Sequence, residues 1–212
     1  DGGWTIALSD APALRADAVV VATGGLSVPR TGSDGSGFAF ARKLGLKVNP
    51  TYAALTPVTA DITRFNALAG IALPVEITAR DGVRFATTRD AFLFTHRGYS
   101  GPAVLDVSHV LVRAMDEGRR DARLLVRWTD ISEEEWTRRL GNAQAGTVLG
   151  ALRKELPERL AAALCEHSGV ESSRPLPQLR KDERRRLLDV LLRCPLPWSG
   201  HEGYRVAEVT GG

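Results

Sequence analysis

The sequence predicts an α/β fold interrupted by an α+β insertion, on three observations. A short continuous β-branched run, Asp17–Ala22, precedes two glycine-rich loops and a helix, the order of a strand–loop–helix unit in a parallel sheet. Alternating apolar stretches with hairpin turns come next, and helical periodicities after them. A strand-like run then returns at Tyr204–Val209, after about 150 inserted residues. The expected division is a partial α/β domain over 1–49, a β unit over 50–130, a helical unit over 131–198 and a return into the first domain over 199–212.

Each element has a local reason. Trp4–Leu8 alternates weakly. Asp17–Ala22, with Val19, Val20 and Val21 at its centre, reads as a strand buried on both faces. A helix is expected after Gly37, with Phe38, Ala41 and Leu44 on one face and Gly45 ending it. Ile71, Leu73, Val75 and Ile77 alternate with Ala72, Pro74, Glu76 and Thr78. Asp81-Gly82 turns the chain, and Val83 and Phe85 begin the return strand. Pro74 places its strand at a sheet edge, since proline cannot donate to a ladder. Leu124, Val126 and Trp128 alternate again. Ser132 and Glu135 form a capping box, flanked by Ile131 and Trp136 as a hydrophobic staple. Leu149, Leu152, Leu156, Leu160 and Leu164 keep a helical spacing that Pro157 divides into two helices. A last helix, Lys181–Arg193, carries Leu187, Leu188, Val190 and Leu191 on one stripe.

Composition narrows the class. The chain has 212 residues, 28 Lys+Arg against 25 Asp+Glu, and 43% hydrophobic residues, so disorder and collagen-like repeats are excluded. Its longest strongly apolar run, Asp17–Ala22, is far short of the roughly 20 residues a membrane-spanning helix needs. The basic residues are 24 Arg and 4 Lys, a skew that reads first as coding bias. They are scattered, only Arg184-Arg185-Arg186 forms a run, and a nucleic-acid partner is not expected. Cys165 and Cys194 make neither a Cys-x-x-Cys pair nor a zinc pattern, which suits a reducing cytoplasm. The chain begins without Met and stops directly after a strand-like run, so an internal piece of a longer protein is expected.

Three motifs can carry chemistry. Ala22-Thr23-Gly24-Gly25 stands at the carboxyl end of the predicted strand, where open α/β sheets bind ligands. It reads equally as a tight turn and as a close approach to a ligand. Thr31-Gly32-Ser33-Asp34-Gly35-Ser36-Gly37 precedes a helix, whose N-terminal amides favour an anion or an electron-rich ring edge. Phe38 stands where a Walker A loop needs Lys, and the glycines do not match the usual dinucleotide fingerprint. By itself this segment also reads as a flexible loop before a capped helix. Phe94-Thr95-His96-Arg97-Gly98-Tyr99-Ser100-Gly101-Pro102 presents Thr95, His96 and Ser100 to a ligand, or is a Gly-Pro turn with a surface histidine. His96 is the candidate acid or base, having a free pKa near neutrality. Pro102 excludes a nucleophile elbow. His109, His167 and His201 have no metal-ligand spacing and read as structural or exposed.

The motifs together are more specific than any one. With Ser27 and Pro29, with Ala54-Leu55-Thr56-Pro57-Val58, and with Ala207-Glu208-Val209-Thr210-Gly211-Gly212, the chain resembles a bacterial family of FAD-binding NAD(P)/FAD-dependent oxidoreductases with an inserted domain, some termed aminoacetone-oxidase-like. The resemblance implies a Rossmann-like FAD domain at 1–49 and 199–212, interrupted by a β-barrel-like unit and a small helical unit. It implies FAD as cofactor, with NAD(P)H as a candidate electron donor. Thr23, Gly24, Gly25, Ser27, Pro29, Thr31, Gly32, Ser33, Gly35, Gly37, Thr210, Gly211 and Gly212 would then border the cofactor. Thr95, Gly98, Ser100 and Gly101 would face a small-molecule substrate. Val28 stands where the family more often has an aromatic residue, and Gly211 where Ala is common. The family's N-terminal G-x-G-x-x-G turn is not in this sequence, so the chain alone is expected to bind FAD weakly and to be inactive.

Two further readings follow from the sequence. Residues 50–200 could serve as a partner- or RNA-binding module, which strongly salt-dependent RNA affinity would reveal. Within the enzymes, reduction of an enone competes with amine oxidation.

Overall fold

The computed structural model describes residues 2–61 and 65–212. The first segment opens with a small hairpin, β1 (Trp4–Ile6) against β2 (Leu14–Ala16), with Trp4 opposite Ala16. The strand expected at Asp17–Ala22 is not formed. The run has no ladder partner among the described residues, and Val19, Val20 and Val21 are 42%, 87% and 52% exposed. A β-branched run becomes a strand only when a neighbour satisfies its backbone, and this segment supplies none. Helix α1 (Ser36–Lys43) follows as expected, with Gly45 in the left-handed region just beyond it.

β3 (Tyr52–Ala54) leads to β4 (Val58–Thr59), and then a long hairpin, β5 (Ala72–Arg80) and β6 (Phe85–Thr95), turns at Asp81-Gly82. β7 (Gly98–Ser100) returns against β6, and helix α2 (Pro102–Asp116) starts at a proline preorganised for a first turn. β8 (Arg123–Arg127) pairs with β5 on the side away from β6. β5 is therefore an interior strand, contrary to the edge placement expected from Pro74. Proline is tolerated because β8 spans only Glu76–Arg80, so Pro74 is paired on the β6 side alone.

Four helices come next: α3 (Glu133–Arg139), α4 (Val148–Leu152), α5 (Glu158–Ser168) and α6 (Lys181–Arg193). Ser132 Oγ accepts from the Glu135 amide at 3.2 Å, and Thr147 Oγ1 from the Gly150 amide at 3.1 Å, so both N-termini are capped by side chains. Pro157 stands at the N-cap of α5, as its position in the leucine pattern required. β9 (Cys194–Leu196) and β10 (Gly200–His201) then add to the sheet, and β11 (Val209–Gly211) pairs with β3. The return strand is thus shorter and later than the Tyr204–Val209 expected. Residues 204–206 form a turn, with the Val206 and Ala207 amides donating to the Gly203 carbonyl.

The main sheet is fully antiparallel, in the order β10-β4-β7-β6-β5-β8-β9. It is not a closed barrel: its edge strands β10 and β9 do not pair. Yet only residues 197–199 join those edges, a span of at most about 14 Å. A flat seven-stranded sheet would hold them about 29 Å apart. The sheet must therefore curl until its edges nearly meet. The seam is pinned where Ser199 N donates to Thr59 O at 2.8 Å and Trp198 Nε1 to Ala122 O at 3.0 Å.

α2 packs on β5 and β6 and buries Val104, Val107, Val110 and Leu111. Phe92, Phe94, Tyr99 and Trp128 form an aromatic cluster, with Phe92 and Phe94 edge-on at 4.8 Å and Phe94 stacked on Trp128 at 5.8 Å. Each such ring adds about 2–3 kcal/mol by burial. The core continues into the helices through Trp136, Leu160, Leu164 and Leu187. Among the described residues, no helix is long and apolar enough to cross a membrane.

Candidate active site

The glycine-rich motifs, about 180 residues from the chain's end, meet that end directly. The amides of Leu26 and Ser27 both donate to Thr210 Oγ1, at 2.7 and 3.0 Å, and Ser27 Oγ lies 3.1 Å from the same oxygen. Gly25 is required there: a Cβ on it would lie 2.4 Å from Thr210 Oγ1. The second motif folds back onto the first, the Gly35 amide donating to the Gly25 carbonyl at 3.0 Å. Thr23 Oγ1 fills the space where Gly37 would otherwise carry a side chain, and Gly24 packs on Ser33 in the same way. Pro29 opens a 3₁₀ turn, Pro29–Thr31, in which Thr31 Oγ1 donates to the Val28 carbonyl at 2.8 Å.

Val28 sits in the left-handed region, at φ 49°, which costs a β-branched residue about 1–2 kcal/mol. Its amide donates to the Tyr204 carbonyl at 2.9 Å. Leu55, also left-handed at φ 52°, accepts through its carbonyl from the Glu208 amide at 3.1 Å. The returning segment is thus held at both ends by strained positions. Ahead of α1, Asp34 Oδ1 accepts from the Ser36 amide at 2.9 Å, and this bond lowers the Asp34 pKa. Gly32 has open surroundings, so the gathered loops present bare backbone outward there.

Beside β11 opens a cleft of about 720 Å³. Tyr52, in register with Gly211, forms one wall, and the Arg113 guanidinium lies over its ring at 5.0 Å from the centroid. Asp116, Glu117, His201 and Tyr204 also line it, beside the 49–53 segment. Tyr204 Oη is buried without a hydrogen-bond partner among the described residues, so the cleft holds an unused polar atom. Burial lowers the pKa of His201, against the opposing charge of Asp116. The Gly203 amide donates to His201 Nδ1 at 3.1 Å, which leaves the proton of the neutral ring on Nε2.

The third motif is placed by the sheet. Thr95 ends β6, His96-Arg97 is a two-residue turn, and Gly98, Tyr99 and Ser100 form β7. A Cβ on Gly98 would lie 2.2 Å from the Val58 carbonyl oxygen, so this glycine lets β4 and β7 close. Gly101 caps α2, Ser100 stands opposite Leu93, and Tyr99 is wholly buried. His96 is exposed at the turn and is not part of the cleft lining. The turn is tied to the cleft's neighbourhood by Arg97 Nη1, 3.5 Å from Glu202 Oε1, next to His201.

The structure thus gathers Thr23, Gly24, Gly25, Ser27, Ser33, Gly35, Gly37 and Thr210 into one cradle. Tyr52, Arg113, His201 and Tyr204 are cleft residues that the sequence alone did not single out. Their one signal was a histidine between Gly200 and Gly203 just ahead of the return strand.

A curled antiparallel sheet with a helix on its face, a unit of short helices, and a backbone-lined cradle beside a polar cleft define a barrel-plus-helix protein with a cleft at its margin. The model of the HI0933-like protein barrel and H2TH domain matches residues 52–209. The chain belongs to this family. It is 36% identical to a ribosomal RNA dihydrouridine synthase of Escherichia coli over 99% of this chain and 51% of that protein. It is 34% identical to a ribosomal RNA dihydrouridine synthase of Haemophilus influenzae over 92% of this chain and 47% of that one. A 3-dehydro-bile acid delta(4,6)-reductase of Clostridium scindens is 25% identical over 96% and 51%. The chain spans about half the length of the curated relatives it matches.

Proposed function

We propose that this chain is the barrel-bearing half of an FAD-dependent reductase that saturates a carbon–carbon double bond conjugated to a carbonyl, with uridine in ribosomal RNA as substrate. The observation that supports this is the junction at Thr210: the glycine cradle and the polar cleft meet on the two sides of one strand. The cradle fits FAD, because its outward surface is bare backbone at Gly32 and at the start of α1. Thr23, Gly24, Gly25, Ser27, Pro29, Thr31, Ser33, Gly35, Gly37, Thr210 and Gly211 would form or support it. Bound there, FAD supplies two-electron hydride chemistry. NAD(P)H is the proposed source of those electrons.

The cleft supplies recognition. Arg113 and Tyr204 offer donors to a carbonyl oxygen, and the Tyr52 ring a flat face for a planar substrate. His201, with its proton on Nε2, is the proposed hydrogen-bond donor to the substrate carbonyl, and His96 remains the candidate acid at the outer approach. Thr95 and Ser100 would line that approach, with Gly98 and Gly101 setting its backbone.

The relatives favour the double-bond reading over amine oxidation. A dihydrouridine synthase and a bile acid delta(4,6)-reductase share no substrate, but by name both act on unsaturated bonds beside carbonyls. The higher identity to the RNA enzymes favours uridine over a steroid. The test is to incubate the full-length protein, loaded with FAD, with NADPH and ribosomal RNA from a strain lacking its gene. Gain of two hydrogens on a uridine, read by mass spectrometry of the nucleosides, supports the proposal. Turnover of a 3-oxo-4-ene steroid with no change in RNA would move the substrate to the second class.

A further inference from the structure

We propose that the outer face of the curled sheet is a docking track for single-stranded RNA, led from the cleft by the β5–β6 turn; this rests on RNA being the substrate. The ladder register builds the track. Arg80 on β5 stands opposite Phe85 on β6 and opposite Arg123 on β8, so Phe85, Arg80 and Arg123 form one row across three strands. Such neighbours lie about 5 Å apart. Two rows along, Arg89, Glu76 and Arg127 share the same face, with Arg89 paired to Glu76 at 3.2 Å and to Asp130 at 2.6 Å, so among the described residues the free cations of the track are those of the first row.

Three features point to a nucleic-acid strand as the occupant. Phe85 is 71% exposed and Val83, in the adjoining turn, 75%. An exposed aromatic on a sheet face is a stacking platform for an unpaired base. Arg80 and Arg123 are like charges directly opposite each other, an arrangement that costs stability. Neither is in an ion pair among the described residues, so an external anion would relieve the repulsion. Arg80 and Phe85 also share the wall of one shallow groove of about 360 Å³, with Arg127 beside them.

The track joins the candidate active site. Arg84 and Arg119 each pair with Asp81, at 3.0 and 2.7 Å, and each also pairs with Glu117 on the rim of the cleft. The turn that carries Val83 is therefore clamped to the cleft wall. A strand leaving the cleft past Glu117 meets Val83, then Phe85 and the two arginines. These residues are remote from one another in sequence, which is why the scattered arginines gave no basic run.

The experiment uses the full-length protein and a fluorescein-labelled single-stranded RNA of ribosomal sequence, with reduction of free uridine measured in parallel. Phe85→Ala is expected to weaken RNA binding about tenfold. Arg80→Gln with Arg123→Gln should weaken it further and reduce the slope of log affinity against log salt by about two. Phe85→Tyr should bind as wild type, all variants should keep the free-uridine turnover of the parent, and none should melt below it, the double arginine variant melting at or above the parent temperature as the facing charges are removed. Crosslinking with 4-thiouridine RNA should label Phe85 or its neighbours. Wild-type affinity in the variants, with RNA still reduced, would overturn the track and leave the substrate reading standing. Absence of RNA affinity in the wild-type protein would overturn both.

Discussion

Thr210 Oγ1 receives the Leu26 amide at 2.7 Å across 184 residues of chain, and the Ser27 amide at 3.0 Å. One hydroxyl thus closes the cradle that two glycine motifs open. Thr210→Val keeps the shape and removes both acceptor contacts. Part-buried amides left unpaired cost about 1–3 kcal/mol. The expected outcome is faster hydrogen exchange over residues 22–37 and loss of flavin from the full-length protein on gel filtration. Thr210→Ser should retain the flavin. Flavin retained equally by Val and Ser would show that the hydroxyl is dispensable.

Gly25 and Gly98 separate two kinds of glycine. Gly98→Ala sets a Cβ 2.2 Å from the Val58 carbonyl oxygen, a backbone atom in the sheet, at φ +143°. It is expected to destabilise the whole fold by more than about 2 kcal/mol and to lower the melting temperature by several degrees. Gly25→Ala clashes instead with the Thr210 side chain. It should spare the barrel's melting and reduce flavin occupancy. Equal thermal shifts in the two variants would contradict this division.

The sequence was most informative where local chemistry decides structure. Lys181–Arg193 formed a helix within the limits its leucine stripe set, and Asp81-Gly82 turned the β5–β6 hairpin where its residues required. It failed where the outcome depends on distant partners. Asp17–Ala22 has strand composition but no ladder partner among the described residues, and Pro74 is tolerated in an interior strand because β8 stops short of it. The cradle was legible because glycines mark close approaches. The cleft was not: Tyr52, Arg113 and His201 come from three separate elements, and only the β3–β11 pairing with the seam at residues 197–199 brings them together.

Asp81 makes the β5–β6 turn sensitive to acid. Its carboxylate is wholly buried, and burial opposes its charge. The Arg84 and Val83 amides, with Arg119 and Arg84, overcome that and hold its pKa at about 2, against an ordinary 3.8. The folded pKa is below the unfolded one. The stabilisation is therefore fully present above about 3.8 and is lost as pH falls from there through about 2. Asp81→Asn should destabilise the protein at pH 7 and flatten its stability profile between pH 4 and 2, measured by urea unfolding. A parallel decline of variant and wild type over that interval would remove Asp81 as the cause.

His201 and His96 can be told apart by kinetics. His201 is half-buried in the cleft, its Nδ1 occupied by the Gly203 amide, its pKa lowered by burial and raised in part by Asp116. A neutral ring with a fixed Nε2 proton is suited to hold a carbonyl oxygen by a hydrogen bond as charge develops on it. His201→Ala removes that donor. It should lower kcat by about 10²-fold, the usual cost of losing one such donor, with KM little changed. Asp116→Asn should shift the acidic limb of the kcat profile downward, because the one charge that raises the His201 pKa is gone. His96 stands on an exposed turn outside the cleft lining, and His96→Ala should act on KM if it meets the substrate at the approach. If His96→Ala abolishes kcat while His201→Ala leaves both kcat and its pH profile intact, proton delivery comes from the β6–β7 turn and the cleft serves binding alone.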